Sequence, residues 1–156
     1  MKTLSSEEKN QYAEWAKKVV ATDYHAQHEF KPVGYFPDYV LADSDVRELQ
    51  PTGNEIEISD YLLRHGARKT KKARGATLSV QDLADLPENL ESARWFFDSG
   101  HKNVIGFFEV GHGELLGKFA VQFNYTRNGE KYNAVVTTGV VMRCNIGEEI
   151  YRELLP

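Results

Sequence analysis

One cysteine stands in 156 residues. Cys144 therefore has no partner for an internal disulfide and no companions for a cysteine zinc cluster. No apolar run approaches the roughly 20 residues that a membrane-crossing helix needs. Met1 to Asn10 is polar, so no signal peptide is expected either. A reducing, cytoplasmic setting is the expectation. A further lack is local: between Arg64 and Arg74 there is no Asp or Glu. Like charges at neighbouring helical positions repel by a few tenths of a kcal/mol per pair, and here no acid is interleaved to offset them. A ligand is the natural source of the missing counter-charge, against the plainer account of a solvated basic face.

What is present fits one soluble domain. The chain is 41% hydrophobic and 27% charged, and at this length roughly two thirds of the surface can be buried. The formal charge is −4, with six positive charges on Arg64, Arg68, Lys69, Lys71, Lys72 and Arg74, so everything outside that stretch carries −10. An anionic partner would be steered to one place on an otherwise acidic protein. The pattern divides into a helical and loop lead over 1–58, a basic helix and a following helix over 59–93, an antiparallel meander over 94–146 and a tail over 147–156.

Ser59 reads as the N-cap of the basic helix, Asp60 suits the positive end of its dipole, and Gly75 marks its end. At about 100° per residue, Leu62, Gly66, Thr70 and Ala73 form the core stripe. Tyr61, His65, Arg68 and Lys72 form one row beside it. A proton carrier among fixed cations is what phosphoryl chemistry on an anionic backbone requires.

Earlier in the chain, Ser5 or Ser6 with Glu7 or Glu8 starts a helix over about 6–22, with Tyr12, Trp15, Ala16 and Val19 on its apolar side. His25 and His28 stand three apart near its end, a metal-ligand spacing without a third ligand. Residues 30–39, with Pro32, Gly34 and Pro37, read as a turn-rich stretch. A short helix over 43–49 and a short extended lead over 55–58 follow. Ser79 caps a helix running through Leu83, Leu86 and Leu90, and Pro87 ends its first part or starts a second turn.

From Arg94 the period changes to two. Strands are expected over 94–97, 104–110, 118–126 and 132–142, with the last two joined by the Asn-Gly turn of residues 127–130. The expected fold is α+β, with helices on one face of a four-stranded antiparallel sheet and the other face partly open. Thr137 and Thr138 must point to opposite sides. Asn124 joins them as a polar strand residue able to meet a ligand.

The runs RHGARKTKKARG (64–75), LADLPENLES (83–92) with WFFD (95–98), and GKFAVQFNYTRNGEKYNAVVTTGVV (117–141) resemble the phage-associated nuclease domain of the barnase, EndoU, colicin and RelE-like (BECR-type) group. That domain is found at the C-terminus of Mu-like phage head-morphogenesis (minor head) proteins, and the likeness spans about Val33 to Ile146. The resemblance implies the four-stranded α+β fold and a metal-independent ribonuclease. It assigns His65, Arg68, Lys71 and Thr137 to catalysis. Arg64, Lys69, Lys72, Arg74, Asn124 and Thr138 remain for nucleic-acid contact. Two departures stand out: Lys69 replaces an acidic or small residue, and Val136 replaces an arginine. The resemblance selects Lys71 and the helical wheel Lys72 for the same contact, and both stay open.

RNA carries its own nucleophile, the 2′-hydroxyl. The protein need only take that proton, neutralise the phosphorane and protonate the leaving 5′-oxygen, with no cofactor or metal. His65 would be the base, Arg68 and a lysine the phosphate holders, and Thr137 a further donor, all converging on one cleft; were Thr137 under the helix, Thr138 would take its place. Expected partners are RNA, tRNA among the candidates, together with phage head or portal proteins and an immunity protein, in the host cytoplasm or in a virion. The other readings are a non-catalytic module of head assembly and nucleic-acid binding without turnover.

Overall fold

The computed structural model describes residues 2–21, 23–67, 77–111, 113–147 and 151–156. Its first helix, α1 (Ser6–Val19), begins at a reciprocal capping box: Glu8 N donates to Ser5 Oγ at 3.1 Å and Ser5 N to Glu8 Oε1 at 2.9 Å. Tyr12, Ala16 and Val19, spaced four and three apart, are its buried residues. Strand β1 (Phe30–Tyr35) and two single-turn helices, α2 (Asp38–Ala42) and α3 (Ser44–Glu48), come next. Strand β2 (Glu55–Ser59) then runs straight into α4 (Asp60–Ala67). Ser79 caps α5 (Val80–Ala84) by accepting from Asp82 N at 3.0 Å. Pro87 sits in the first turn of α6 (Leu86–Glu91), where its missing N–H breaks no helical bond. The Tyr12 hydroxyl donates to the Leu83 carbonyl at 2.9 Å and fastens α1 to α5.

Strands β3 (Arg94–Asp98), β4 (Asn103–Glu109), β5 (Leu115–Arg127) and β6 (Glu130–Met142) form an antiparallel meander. Asn128 and Gly129, at φ 51° and 80°, turn the chain between β5 and β6 in the left-handed conformation that a two-residue hairpin needs. Phe119, Val121 and Phe123 are all buried.

The expected four-stranded antiparallel sheet is corrected on two counts. The meander is the middle of one seven-stranded sheet, ordered β1-β2-β6-β5-β4-β3-β7, with β7 at Tyr151–Glu153. The sheet is also mixed, because β2 pairs with β6 in parallel, Ile56 against Asn133 and Glu57 against Ala134. The three extra strands are short or interrupted. β1 carries Pro32, tolerated because it is an edge strand, and shifts register between Pro32 and Gly34. β7 has three residues and follows a 3-10 turn at Arg143–Gly147.

Helices cover one face, over a core that includes Phe36, Leu63, Leu83, Leu90, Trp95 and Phe119. The opposite face is not simply open. Phe96, Ile105, Phe107, Leu116 and Ala120 form a second buried cluster there, with Val136, Val141, Ile146 and Tyr151 packed against it. Among the described residues no helix is long and apolar enough to cross a membrane.

Candidate nucleic-acid interface

Helix α4 is held at its start by Ser59, whose Oγ accepts from Leu62 N at 3.0 Å. Leu62, Leu63 and Gly66 turn inward. A side chain at 66 would put its Cβ 2.5 Å from Thr138 Oγ1, so glycine is what lets α4 lie this close to β6. With that face buried, Tyr61 and His65 fall on the outer side. Tyr61 is 64% exposed, and its ring stacks on the half-buried His65 imidazole with centroids 6.1 Å apart and planes at 28°. The row expected from the helical period is thus present over its first two members. Arg68, Lys69, Lys71, Lys72 and Arg74 lie outside the described residues.

Arg64, expected among the phosphate contacts, is used differently. Its Nη1 donates to the Val19 carbonyl at 2.8 Å and the Ala21 carbonyl at 2.9 Å, and its guanidinium lies 5.7 Å from the Tyr24 ring centroid. The Val19 carbonyl at the end of α1 is one that no helical N–H reaches, and this cation satisfies it, sharing the Ala21 carbonyl with Tyr24 N at 3.2 Å. Asp60 completes the fastening. Fully buried, it accepts from the Tyr24 hydroxyl and from Gln27 N, each at 2.7 Å, and Tyr61 N donates to its other oxygen at 2.7 Å. Burial alone would raise the Asp60 carboxyl, but these donors outweigh it and hold the group below its ordinary range.

A carboxyl lowered by folding contributes stability above its unfolded value and loses it as the pH falls through the folded one. Asp60→Asn should therefore be less stable at neutral pH by about 1–3 kcal/mol. Its stability should also fall less than that of the parent on acidification below about pH 4. Urea unfolding of both proteins across that range measures the difference; equal stability and equal pH slopes would remove the anchoring role.

The structure separates the two threonines. Thr138 pairs with Phe119 on the helix-covered face, directly under Gly66, and is 1% exposed. Thr137 pairs with Ala120, a member of the second cluster, so it lies on the face away from α4. The expected convergence of His65 with Thr137 does not occur, and Thr138 meets the helix backbone rather than open solvent. Asn124 is elsewhere again. It adopts φ 58° at a bulge in β5 and donates to the Leu49 and Gln50 carbonyls at 2.8 and 3.1 Å, while Thr52 Oγ1 donates to its Oδ1 at 2.5 Å. It clamps the loop before β2. His25 and His28 lie in the connection after α1, beyond its last turn. Among the described residues no three His, Cys, Asp or Glu side chains converge as a metal site would require.

One constellation escaped the sequence reading. Ile56 and Ile58 enter the main core, so Glu57 between them projects from the opposite face. There Arg127 Nη2 lies 3.2 Å from Glu57 Oε2, and the guanidinium is sandwiched between Phe30 and Tyr132 at 3.8 and 4.0 Å from their ring centroids. Burial pushes the Glu57 carboxyl up in spite of Arg127. Arg127 Nη1 is sealed from solvent, so the pair acts as a fastening of β2 to the β5–β6 hairpin. Nothing in the sequence could have joined two residues 70 positions apart without knowing that β2 belongs to the sheet. Compared with protein-family models, curated proteins and solved structures, the chain matches none.

Proposed function

We propose that this protein is a metal-independent ribonuclease domain that cleaves single-stranded RNA through attack of the 2′-hydroxyl. The observation that carries the reading is the Tyr61–His65 stack, displayed on the outer side of α4 at the head of a stretch with five further cations in 68–74. An exposed ring can stack a base, fixed cations can hold phosphates, and an imidazole can move a proton at neutral pH. The resemblance to phage-associated nuclease domains favours the same chemistry and a phage or prophage setting.

In this reading His65 takes the proton from the 2′-hydroxyl. The oxygen then attacks the adjacent phosphorus, the 5′-oxygen leaves with a proton taken from water, a 2′,3′-cyclic phosphate remains, and His65 returns its proton to solvent. Cations among Arg68, Lys71 and Lys72 neutralise the phosphorane. Arg64 holds the end of α1, and Thr138 fixes the height of α4 over the sheet; neither touches the phosphate.

The test is to incubate the protein with end-labelled RNA in EDTA and identify the new ends. Fragments ending in cyclic phosphate and beginning with 5′-hydroxyl are expected. Tight, salt-sensitive binding that leaves the RNA intact would instead assign nucleic-acid binding without turnover.

A further inference from the structure

We infer that the recess between the end of α1 and the connection leading to β1 is a nucleobase subsite for the RNA that this protein acts on. The inference rests on the RNA reading above and adds to it a second contact region. The recess has a volume of about 490 Å³, within the range of small-ligand sites, with Trp15 and Lys18 on one side and Tyr24, His25, Gln27 and Glu29 on the other.

Three observations set it apart from an ordinary loop crevice. The described residues of the connection form no helix or strand, yet α4 holds them and the adjoining end of α1 with five hydrogen bonds, two to the Asp60 carboxylate, one from Asp60 N to the Glu29 carbonyl and two from Arg64. Those anchors immediately precede Tyr61 and His65 in sequence, so the wall of the recess and the exposed stack are fixed by the same two turns of helix. Trp15 lines the recess while its indole N–H is itself buried, so the ring offers the recess aromatic surface rather than a donor.

The charges select the ligand. Lys18 is balanced by Asp23 and Glu29, so the lining has no excess positive charge to attract a phosphate. Aromatic walls with donors and acceptors of both kinds, Gln27 amide and carboxylates included, suit an uncharged planar ring that carries both as well.

Uncharged nucleosides provide the test, because they cannot engage the cationic stretch. The chain has two tryptophans, and Trp95 is 1% exposed in the core, so a fluorescence change on ligand addition reports Trp15. Adenosine, inosine, cytidine and uridine are titrated separately. At least one should give a saturable change whose midpoint moves less than about two-fold between low and high salt. Gln27→Ala, which removes an exposed side chain and keeps the amide that bonds Asp60, should weaken it by about five-fold or more.

No saturable change with any of the four, or an unchanged midpoint in Gln27→Ala, overturns the subsite. RNA cleavage without nucleoside binding would refute the recess and leave the ribonuclease reading standing. Nucleoside binding without any action on RNA would refute that reading and keep the recess as a nucleoside site.

Discussion

Replacing His65 with glutamine is expected to lower RNA cleavage by roughly 10²–10⁴-fold, the usual contribution of a positioned general base. Affinity for RNA should change by less than about two-fold, since phosphate attraction resides in fixed cations and scales with their number. Glutamine keeps a side chain of similar reach with both donor and acceptor, but it does not bind a proton at neutral pH. His65 packs on Tyr61, which is itself 64% exposed, and the residues that seat α4 are Asp60, Leu62, Leu63 and Gly66. Melting temperatures of the variant and its parent, measured alongside cleavage, separate chemistry from stability. The companion substitution Tyr61→Ala should do the reverse, weakening RNA binding by about 1–3 kcal/mol through a lost stacking partner. A cleavage rate that survives His65→Gln would end the assignment of His65 as base, whatever the fold of the variant.

The contrast between these two substitutions and Arg64 shows what a sequence can carry. Helical period alone puts Tyr61 and His65 on one row beside the core stripe, and period depends only on neighbours in the chain. Arg64 points away from that row by the same period, yet by charge it reads as another cation of the stretch. Its partners are backbone carbonyls of Val19 and Ala21, and a carbonyl leaves no trace in residue identity. The threonines divide in the same way. That Thr137 and Thr138 face opposite sides follows from the pleat; which side α4 occupies follows from packing, and from a register shift in β6 between Val135 and Thr137.

Sheet membership behaves likewise. β5 and β6 are thirteen residues long each around an Asn-Gly turn, and residues 118–123 alternate between the two faces, a signal strong enough to read directly. β1, β2 and β7 have six, five and three residues. Their strand character comes from neighbours far along the chain, and a proline inside β1 points the other way. The sequence marks residues 55–58 only as a short extended lead, so the Glu57–Arg127 pair on β2 is invisible in it as well.

The largest effect on stability is expected from Gly106→Ala, in the middle of the meander. Gly106 stands directly opposite Phe119 across the β4–β5 pair, and two residues along Phe108 stands opposite Gly117. Each phenylalanine lies over the other strand's glycine. A Cβ on residue 106 would come within 2.2 Å of Phe119 Cζ, and one on residue 117 within 2.4 Å of Phe108 Cζ. The ring has nowhere to go. Phe119 is 0% exposed, edge-on to Trp95 at 5.2 Å and stacked on Phe108 at 6.0 Å. Overpacking of this kind costs about 1–3 kcal/mol and sometimes more, and the absence of any free direction puts the cost at the upper end. For a chain of this size, a loss of about 3 kcal/mol lowers the melting temperature by roughly 6–12 °C.

A second substitution distinguishes steric overlap from a general intolerance of strand β4. Phe119→Leu removes the ring atoms that a new Cβ would strike, while costing a cavity of its own. If overlap is the cause, the two changes together should be less destabilising than their sum by about 1 kcal/mol or more. Additive losses in that double-mutant cycle, or a Gly106→Ala protein as stable as its parent, would show that the aromatic layer yields more readily than its packing indicates.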